Sequence, residues 1–514
     1  RRDDPAPVTL LAVALVCLAT VGVGLMGGRF SRATSDFYVA SRSVGASRNA
    51  SAICGEYLSA ASFLGVGGLV FAGGLDMLWF PVGYTVGFLA LLVLVAAPLR
   101  RSGAYTLPDF AAARLGSRRV RRVCGGLVVL VGWLYLLPLL RGAGTALEHL
   151  VGSPPWVGST LVAGVVAVTV AAGGMRSITL VQAGQYWFKL VALAVPALVL
   201  VALWAHRGAP AIDPPPGWSQ PFHGLGVTGH PFYATVSTIL GLSLGTMALP
   251  HVVIRLYTNA DGAAARRTTV LVVALLGLFY LFPPVVGVLG HVFLPPGYAG
   301  DVDAVLLDLP RAALGGPAGE ALAALVGAGA VAAFLSTASG LAIAVAGVLD
   351  QDVISPVRRP RSGVVGEGGS VGGFRLGTVL ALLVPLLLSL VVPPLGLATT
   401  VGLTFSVAAA TFTPLLVLGV WWRGLSTVGA TAGMLVGGAT SFGCVGLSLV
   451  RGDAPGASWA TALVAHPAAW SIPLAFATAT VVSLATPSSI PRGTDRFLAR
   501  LHTPESAQGV APRG

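Results

Sequence analysis

The sequence is poor in charged residues. Asp, Glu, Lys and Arg make up 10% of its 514 residues, whereas hydrophobic residues make up 55%, and the mean hydropathy is +0.84. One water-soluble core cannot use so much apolar surface, and typical soluble domains carry about 25% charged residues. The composition therefore excludes a soluble globular protein and indicates an integral membrane protein.

Cysteine is scarce as well, and the sequence lacks the spacing that binds a transition metal. The four cysteines, Cys17, Cys54, Cys124 and Cys444, lie inside apolar stretches, without CxxC spacing or a neighbouring histidine cluster. Metal sites need ligands that such spacing brings together. We expect these thiols to be small core residues, and we expect neither a transition metal nor a bound cofactor.

Apolar stretches long enough to cross a bilayer follow one another along almost the whole chain. A helix that crosses about 30 Å of hydrocarbon needs about 20 apolar residues. The apolar stretches, and the Gly and Pro residues that separate them, predict an all-α membrane protein. We expect its first span to be a retained helix and not a secretory signal. The thirteen predicted spans lie near 8–27, 48–73, 78–98, 122–147, 156–173, 178–204, 232–252, 267–294, 318–349, 375–393, 396–421, 425–449 and 467–486.

We expect one transmembrane domain over residues 1–486, followed by a disordered cytoplasmic tail over 487–514. The net charge of +12 could suggest nucleic acid, but the arginines stand between apolar spans and form no single basic face. An outside N-terminus leaves 24 of the 31 basic residues in inner segments and five in outer segments, as the positive-inside rule requires. The sequence thus predicts a multi-pass protein of the bacterial inner (cell) membrane, with a cytoplasmic C-terminus and no nucleic-acid partner.

Two spans contain residues that interrupt a helix. The second holds Gly55-Glu-Tyr-Leu-Ser59 followed by further glycines, and the seventh holds the segment from Gly241 to Pro250. Because lipid cannot bond an unpaired amide, an interrupted span is tolerated only beside protein or a watery cavity. The breaks lie five spans apart, as in an inverted repeat of two five-helix units (about 48–204 and 232–421) with a site between them. The alternative is that glycine only brings membrane helices close together.

The second span also carries a sequence likeness. The run from Gly55 to Gly65, GEYLSAASFLG, resembles the first core helix of the solute:sodium symporter family, in particular its cation/acetate symporter branch. The resemblance covers about residues 30–450 and implies thirteen helices, an outside N-terminus and a LeuT-like core made of spans two to six and seven to eleven. Further matching segments, in the same order, are Arg101–Phe110, Gly142–Gly144, Gly173–Ser177, Gly245–His251 with Arg255, and Ser336–Gly340 ahead of Asp352.

The ninth span presents oxygen atoms on one face. At 100° per residue, Ala333, Ser336 and Thr337 fall within an arc of about 100°. A desolvated sodium ion needs carbonyl and hydroxyl oxygens in place of its water shell. By resemblance, the sodium site combines the Ala333 carbonyl and the two hydroxyls with the Gly55 and Leu58 carbonyls. The alternative is that these hydroxyls bond carbonyls one turn back on their own helix.

Three charged side chains fall in the interior of predicted spans, where such groups are functional candidates. Glu56 lies in the break, where the acetate branch has Asp, and could accept a proton or pair with Arg141. Arg141 suits bidentate binding of a carboxylate, or else forms a structural salt bridge or reaches toward the outer face. Lys189 is expected to reach toward the inner face.

Together these features predict a secondary transporter and not an enzyme, because no paired acids or Ser/His/Asp set face a cavity. We expect sodium-coupled symport of a small monocarboxylate such as acetate, propionate or pyruvate, by alternating access. The alternatives are a sodium/amino acid symporter of the proline type and proton-coupled carboxylate symport; the oligomeric state stays open. The predicted substrate-binding residues are Glu56, Tyr57, Ser59, Ser62, Phe63, Arg141, Ser243, Thr246 and Met247.

Overall fold

The computed structural model describes residues 7–28, 44–225, 229–298, 300–354, 370–391, 396–451 and 458–505, and the regular elements in these ranges are helices. Ten are long and apolar enough to cross a membrane, and two bent helix pairs add two more candidate spans. The long helices are Pro7–Gly28, Ala46–Tyr57 with Val66–Gly73, Trp79–Leu94, Arg118–Val151, Pro155–His206, Pro231–Ala248 with Pro250–Leu256, Gly262–Tyr280 with Phe282–Phe293, Gly316–Leu349, Val371–Ser389, Leu397–Trp421, Thr427–Arg451 and Ala468–Ala485. Short connecting helices cover Ala96–Ser102, Leu107–Leu115, Val305–Leu314, Trp459–Ala465 and Thr494–His502.

The helix Pro155–His206 contains two spans. Its 52 residues would reach about 78 Å as one straight helix, far more than a bilayer is thick. At Gly174 the backbone has φ 54° and ψ −151°, which divides the helix into segments 155–173 and 175–206. With this division the described helices correspond to the thirteen predicted spans, which we number in chain order.

Both predicted breaks are present. The second span bends by 72° between Tyr57 and Ala61, and the seventh bends by 44° at Leu249. In the seventh span the cause is Pro250, which disfavours helical backbone at the preceding residue, and Leu249 is extended with ψ 123°. In the second span the helix stops at Leu58 and resumes as a π-helical turn, Ala61–Gly65.

The ninth span, Gly316–Leu349, lies at the centre of the bundle. From Val326 to Leu349 every residue is buried, and the helix packs against the fourth and sixth spans and against the first. Glycine permits this packing: a Cβ at Gly340 would lie 2.1 Å from the Glu56 carboxylate. The second span approaches the sixth just as closely, because a Cβ at Gly55 would lie 2.0 Å from the Gln182 carbonyl oxygen.

The prediction of a disordered tail is wrong for residues 487–505. The helix Thr494–His502 buries Leu501, and the His502 ring bonds the Val420 carbonyl. Glu505 pairs with Arg101 and accepts the Gly262 N–H. The segment is polar overall but amphipathic, so its apolar face docks on the ends of the third and eleventh spans. Residues 506–514 lie outside the described residues.

We predict that Gly174→Ala destabilises the protein. A residue with a Cβ avoids the backbone conformation at Gly174, and such strain costs about 1–3 kcal/mol. Gly164→Ala is the matched control, because Gly164 is helical and no atom lies within 4 Å of an added Cβ. The melting temperature of the detergent-solubilised protein should fall only for Gly174→Ala, and equal melting of both variants would contradict the assignment of two spans.

Candidate functional site

The break in the second span frees two backbone carbonyls. In a continuous helix the Gly55 carbonyl would accept the Ser59 N–H, but that N–H bonds the Tyr57 carbonyl at 2.8 Å. The Leu58 carbonyl would accept the Ser62 N–H, which instead bonds the Ser59 carbonyl at 3.0 Å. Both residues are buried, so their oxygens need partners from other helices.

Lys189 of the sixth span supplies these partners. Its Nζ lies 2.5 Å from the Gly55 oxygen and 2.7 Å from the Leu58 oxygen, and 3.0 Å from Oγ of Ser336. The side chain has no solvent exposure. The expectation that Lys189 reaches toward the inner face was therefore wrong: it points inward to the break, from the middle of its segment.

The ninth span faces the break as predicted. The Thr337 hydroxyl donates to the Glu56 carbonyl at 2.5 Å, which links the second and ninth spans directly. The Ser336 hydroxyl donates to the Ala333 carbonyl at 3.0 Å, so the alternative of bonding within the helix holds for Ser336 and not for Thr337. The structure brings together all five predicted sodium-binding residues, namely Gly55, Leu58, Ala333, Ser336 and Thr337, and adds Lys189 to them.

The Glu56 side chain pairs with Arg255 of the seventh span, at 2.6 Å between Oε2 and Nε. The pair is buried, with 2% and 1% of the side chains exposed. Arg255 also bonds Thr179 at 2.8 Å and the Gln182 side-chain oxygen, and Gln182 donates to the Ser336 carbonyl at 2.8 Å. This network connects the second, sixth, seventh and ninth spans around the break. The suggested pairing of Glu56 with Arg141 was wrong.

Arg141 lies away from this network. Its guanidinium donates to the Ser389 carbonyl at 2.9 Å, at the end of the tenth span. The neighbouring Gly142 lines a cavity of about 580 Å³ that opens at one end of the bundle. A role for Arg141 in binding substrate stays a prediction.

The predicted substrate residues form two groups around the break. Tyr57 bonds Thr246 at 2.6 Å, and its ring packs edge-on against Tyr84, Phe88 and Phe405. Ser59 bonds the hydroxyl of Tyr135, and Met247 is fully buried beside Thr246. On the other side of the break, Ser62 bonds Tyr280 at 2.9 Å and Phe63 packs against Phe279, whereas Ser243 donates to the Gly83 carbonyl at 3.2 Å.

His251 was missed by the sequence reasoning as a site residue. It is fully buried, its ring lies 5.6 Å from the Tyr135 ring, and neither ring nitrogen has a hydrogen-bond partner among the described residues. Buried polar groups are normally bonded, so an unpartnered imidazole beside the break indicates a position that a polar ligand could complete. The signal that could have identified His251 in the sequence is its position one residue after Pro250, where the seventh span breaks.

The two ends of the bundle differ. The 580 Å³ cavity lies at the end that the sequence predicts to be outer, and it reaches Leu64 and Phe334 near the middle of the bundle. Burial raises the pKa of Asp303 in its wall to about 6, against the opposing effect of the Leu397 N–H. At the opposite end Arg121 bonds Asp109, Asp352 and Gln351, which ties the fourth and ninth spans together.

Comparison with known proteins places this site in a family. A sequence model described as "Sodium:solute symporter family" matches residues 37–437. The chain is 30% identical to the uncharacterized symporter YwcA of Bacillus subtilis, over 90% of this chain and 92% of that protein. It is 31% identical to a monocarboxylic acid transporter of Corynebacterium glutamicum, over 91% of this chain and 90% of that protein.

A solved structure shares the fold. A Na⁺-coupled sialic acid symporter, in a substrate-bound outward-open state, matches with a TM-score of 0.71 at 13% identity, over 94% of this chain and 98% of that one. The prediction of an all-helical protein with a LeuT-like core is thereby confirmed. The expectation of a transporter and not an enzyme is confirmed by the family match and by the two sequence relatives.

We predict that Glu56→Gln strongly destabilises the protein, because it leaves the Arg255 charge buried without its counter-ion. Breaking a buried ion pair costs about 3–5 kcal/mol, whereas an exposed pair contributes about 0–1 kcal/mol. Glu320→Gln is the control, since Glu320 and its partner Arg311 are 37% and 27% exposed. Thermal unfolding of the purified variants should separate the two, and similar melting temperatures would show that the buried pair is not structural.

Proposed function

This chain belongs to the sodium:solute symporter family, and from that premise we propose that it couples uptake of a small monocarboxylate to entry of a cation. The transport mechanism is alternating access, in the bacterial cell membrane, with the N-terminus outside and the C-terminus cytoplasmic. Acetate, propionate and pyruvate are the proposed substrates. The monocarboxylic acid transporter of C. glutamicum, similar over 91% of this chain, supports this substrate class.

The observation that carries the proposal is the cluster of oxygens at the break. The Gly55 and Leu58 carbonyls lack helical partners and lie opposite Ser336 and Thr337 of the ninth span. Oxygens arranged in this way replace the hydration shell of a cation, and discontinuous helices provide them in secondary transporters. A positive charge that enters the cell gains about 2.3 kcal/mol per 100 mV of membrane potential, which can drive accumulation of the solute.

The surroundings of the break suit a small anion. Tyr57, Ser59, Thr246 and Tyr135 offer hydroxyl groups, and His251 has unpartnered ring nitrogens. Aromatic rings pack against Tyr57 and Tyr135 at centroid distances of 4.8 to 6.1 Å, and such close packing favours a small solute over a bulky sugar. Hydroxyl and imidazole donors can bind a carboxylate, and the small apolar walls can accommodate one or two methyl groups.

Two cations are candidates. Sodium is the ion implied by the family and by the oxygen chemistry of the site. A proton is the second candidate, favoured by the position of the Lys189 ammonium at these oxygens. A sodium/amino acid symporter of the proline type keeps the same fold with another substrate.

In proteoliposomes we expect labelled acetate or pyruvate to accumulate, and labelled proline not to. Uptake should be measured with an inward sodium gradient and, separately, with an inward proton gradient at equal sodium on both sides. Counterflow with each solute shows binding and exchange without any driving gradient. Counterflow of proline together with no counterflow of any short carboxylate would refute the substrate assignment.

Replacing Ser336 and Thr337 together by alanine should abolish cation-driven accumulation, because the double variant loses the oxygens that the ninth span contributes. Ser339→Ala is the matched control, since the Ser339 hydroxyl only donates to the Leu335 carbonyl of its own helix at 2.7 Å. Accumulation by the double variant with unchanged cation dependence would show that the coupling site lies elsewhere.

A further inference from the structure

We propose that Lys189 determines the ion specificity of the site, because its ammonium group is a tethered cation that occupies the place of Na⁺. The inference deepens the proposed function and rests on it in one respect, the assignment of these oxygens as the cation site. While Lys189 stays in this position, Na⁺ is excluded from the Gly55, Leu58 and Ser336 oxygens.

The first argument is the match between donors and acceptors. An ammonium group has three N–H donors and no acceptor. Nζ of Lys189 has three oxygen partners, at 2.5 Å (Gly55), 2.7 Å (Leu58) and 3.0 Å (Ser336). Every donor is used, and the two carbonyls released by the break are both satisfied. An ammonium group in this position takes the oxygens that a sodium ion would need as ligands.

The second argument is the residue type. Lys189 is the only lysine in the chain, whereas the other 30 basic residues are arginine. A lysine ammonium is a compact point charge with three rotatable donors, whereas an arginine guanidinium is a planar fork suited to carboxylates. Three oxygens that converge on one point suit a lysine ammonium group. The chain thus has its one compact side-chain cation where a desolvated ion would otherwise bind.

The third argument is charge. Glu56 is the carboxylate whose charge acts on Lys189, and it already pairs with Arg255. The site therefore holds two cationic side chains and one anionic one, all buried. A sodium ion at the same oxygens would be a third positive charge, in contact with Nζ, against the single negative charge of Glu56. Repulsion at such short range in a medium of low dielectric excludes joint occupancy.

The sixth span fixes the ammonium in place. The Gln182 carbonyl lies against Gly55, and the Gln182 side chain bonds both Arg255 and the Ser336 carbonyl. Lys189 lies seven residues later, two helical turns along the same face. The helix that carries the cation is therefore held against both the second and the ninth spans.

The test is direct binding of ²²Na⁺ to the purified protein, without any carboxylate present. We expect Lys189→Met to bind Na⁺ at least tenfold more tightly than the wild type. Val191→Met is the matched control, because Val191 lies two residues further on the same helix and is 49% exposed on its outer face. The control should bind Na⁺ as the wild type does. Adding Ser336→Ala and Thr337→Ala to Lys189→Met should remove the gained binding, which locates the ion at this site.

One result would overturn the proposal, namely a folded Lys189→Met or Lys189→Gln variant whose Na⁺ affinity equals that of the wild type. A single symmetric peak in size-exclusion chromatography shows that the variant is folded. Because the assay contains no organic substrate, its outcome is independent of whether the transported solute is a monocarboxylate.

Discussion

Two carbonyl groups without helical partners determine how the centre of this protein is built. Within a bilayer, water is not available to bond the Gly55 and Leu58 oxygens, so neighbouring helices have to supply the bonds. Lys189 supplies them from the sixth span, and Thr337 bonds the carbonyl of Glu56 between them. The glycines at 55 and 340 permit the necessary approach of backbone to backbone and of backbone to carboxylate. The relative positions of the second, sixth and ninth spans thus follow from one interruption in a helix.

Local sequence signals predicted the spans and the breaks well. Span length follows from apolar composition, and the breaks follow from glycine, serine and proline inside apolar runs, which act within a few residues. Helical periodicity also predicted that Ala333, Ser336 and Thr337 share one face of the ninth span, and the family resemblance implied that this face meets the break. The sodium-binding role of these residues stays a prediction, although the structure brings them together.

The partners across the bundle were not predictable in the same way. Glu56 and Arg255 are 199 positions apart, and the rotation of the seventh span decides that they meet. The direction of the Lys189 side chain was not predictable for the same reason, because the rotation of the sixth span against the second decides that Nζ meets the Gly55 and Leu58 carbonyls. The tail was misjudged for a related reason: its polar average hid an amphipathic helix whose partner surface is formed by distant segments.

The docked tail also constrains where a path could open at this end of the bundle. Glu505 and His502 fasten the short helix Ala96–Ser102, the start of the eighth span and the end of the eleventh to one another. Arg114, just beyond the third span, bonds the Gly419 carbonyl and the Thr494 hydroxyl. These bonds strengthen the contact between the eleventh span and the tail. As long as these contacts hold, a path at this end of the bundle has to open between other helices, and Arg121 bonds Gln351 and Asp352 between the fourth and ninth spans. The bonds of the Arg121 guanidinium would then have to break before those two spans separate.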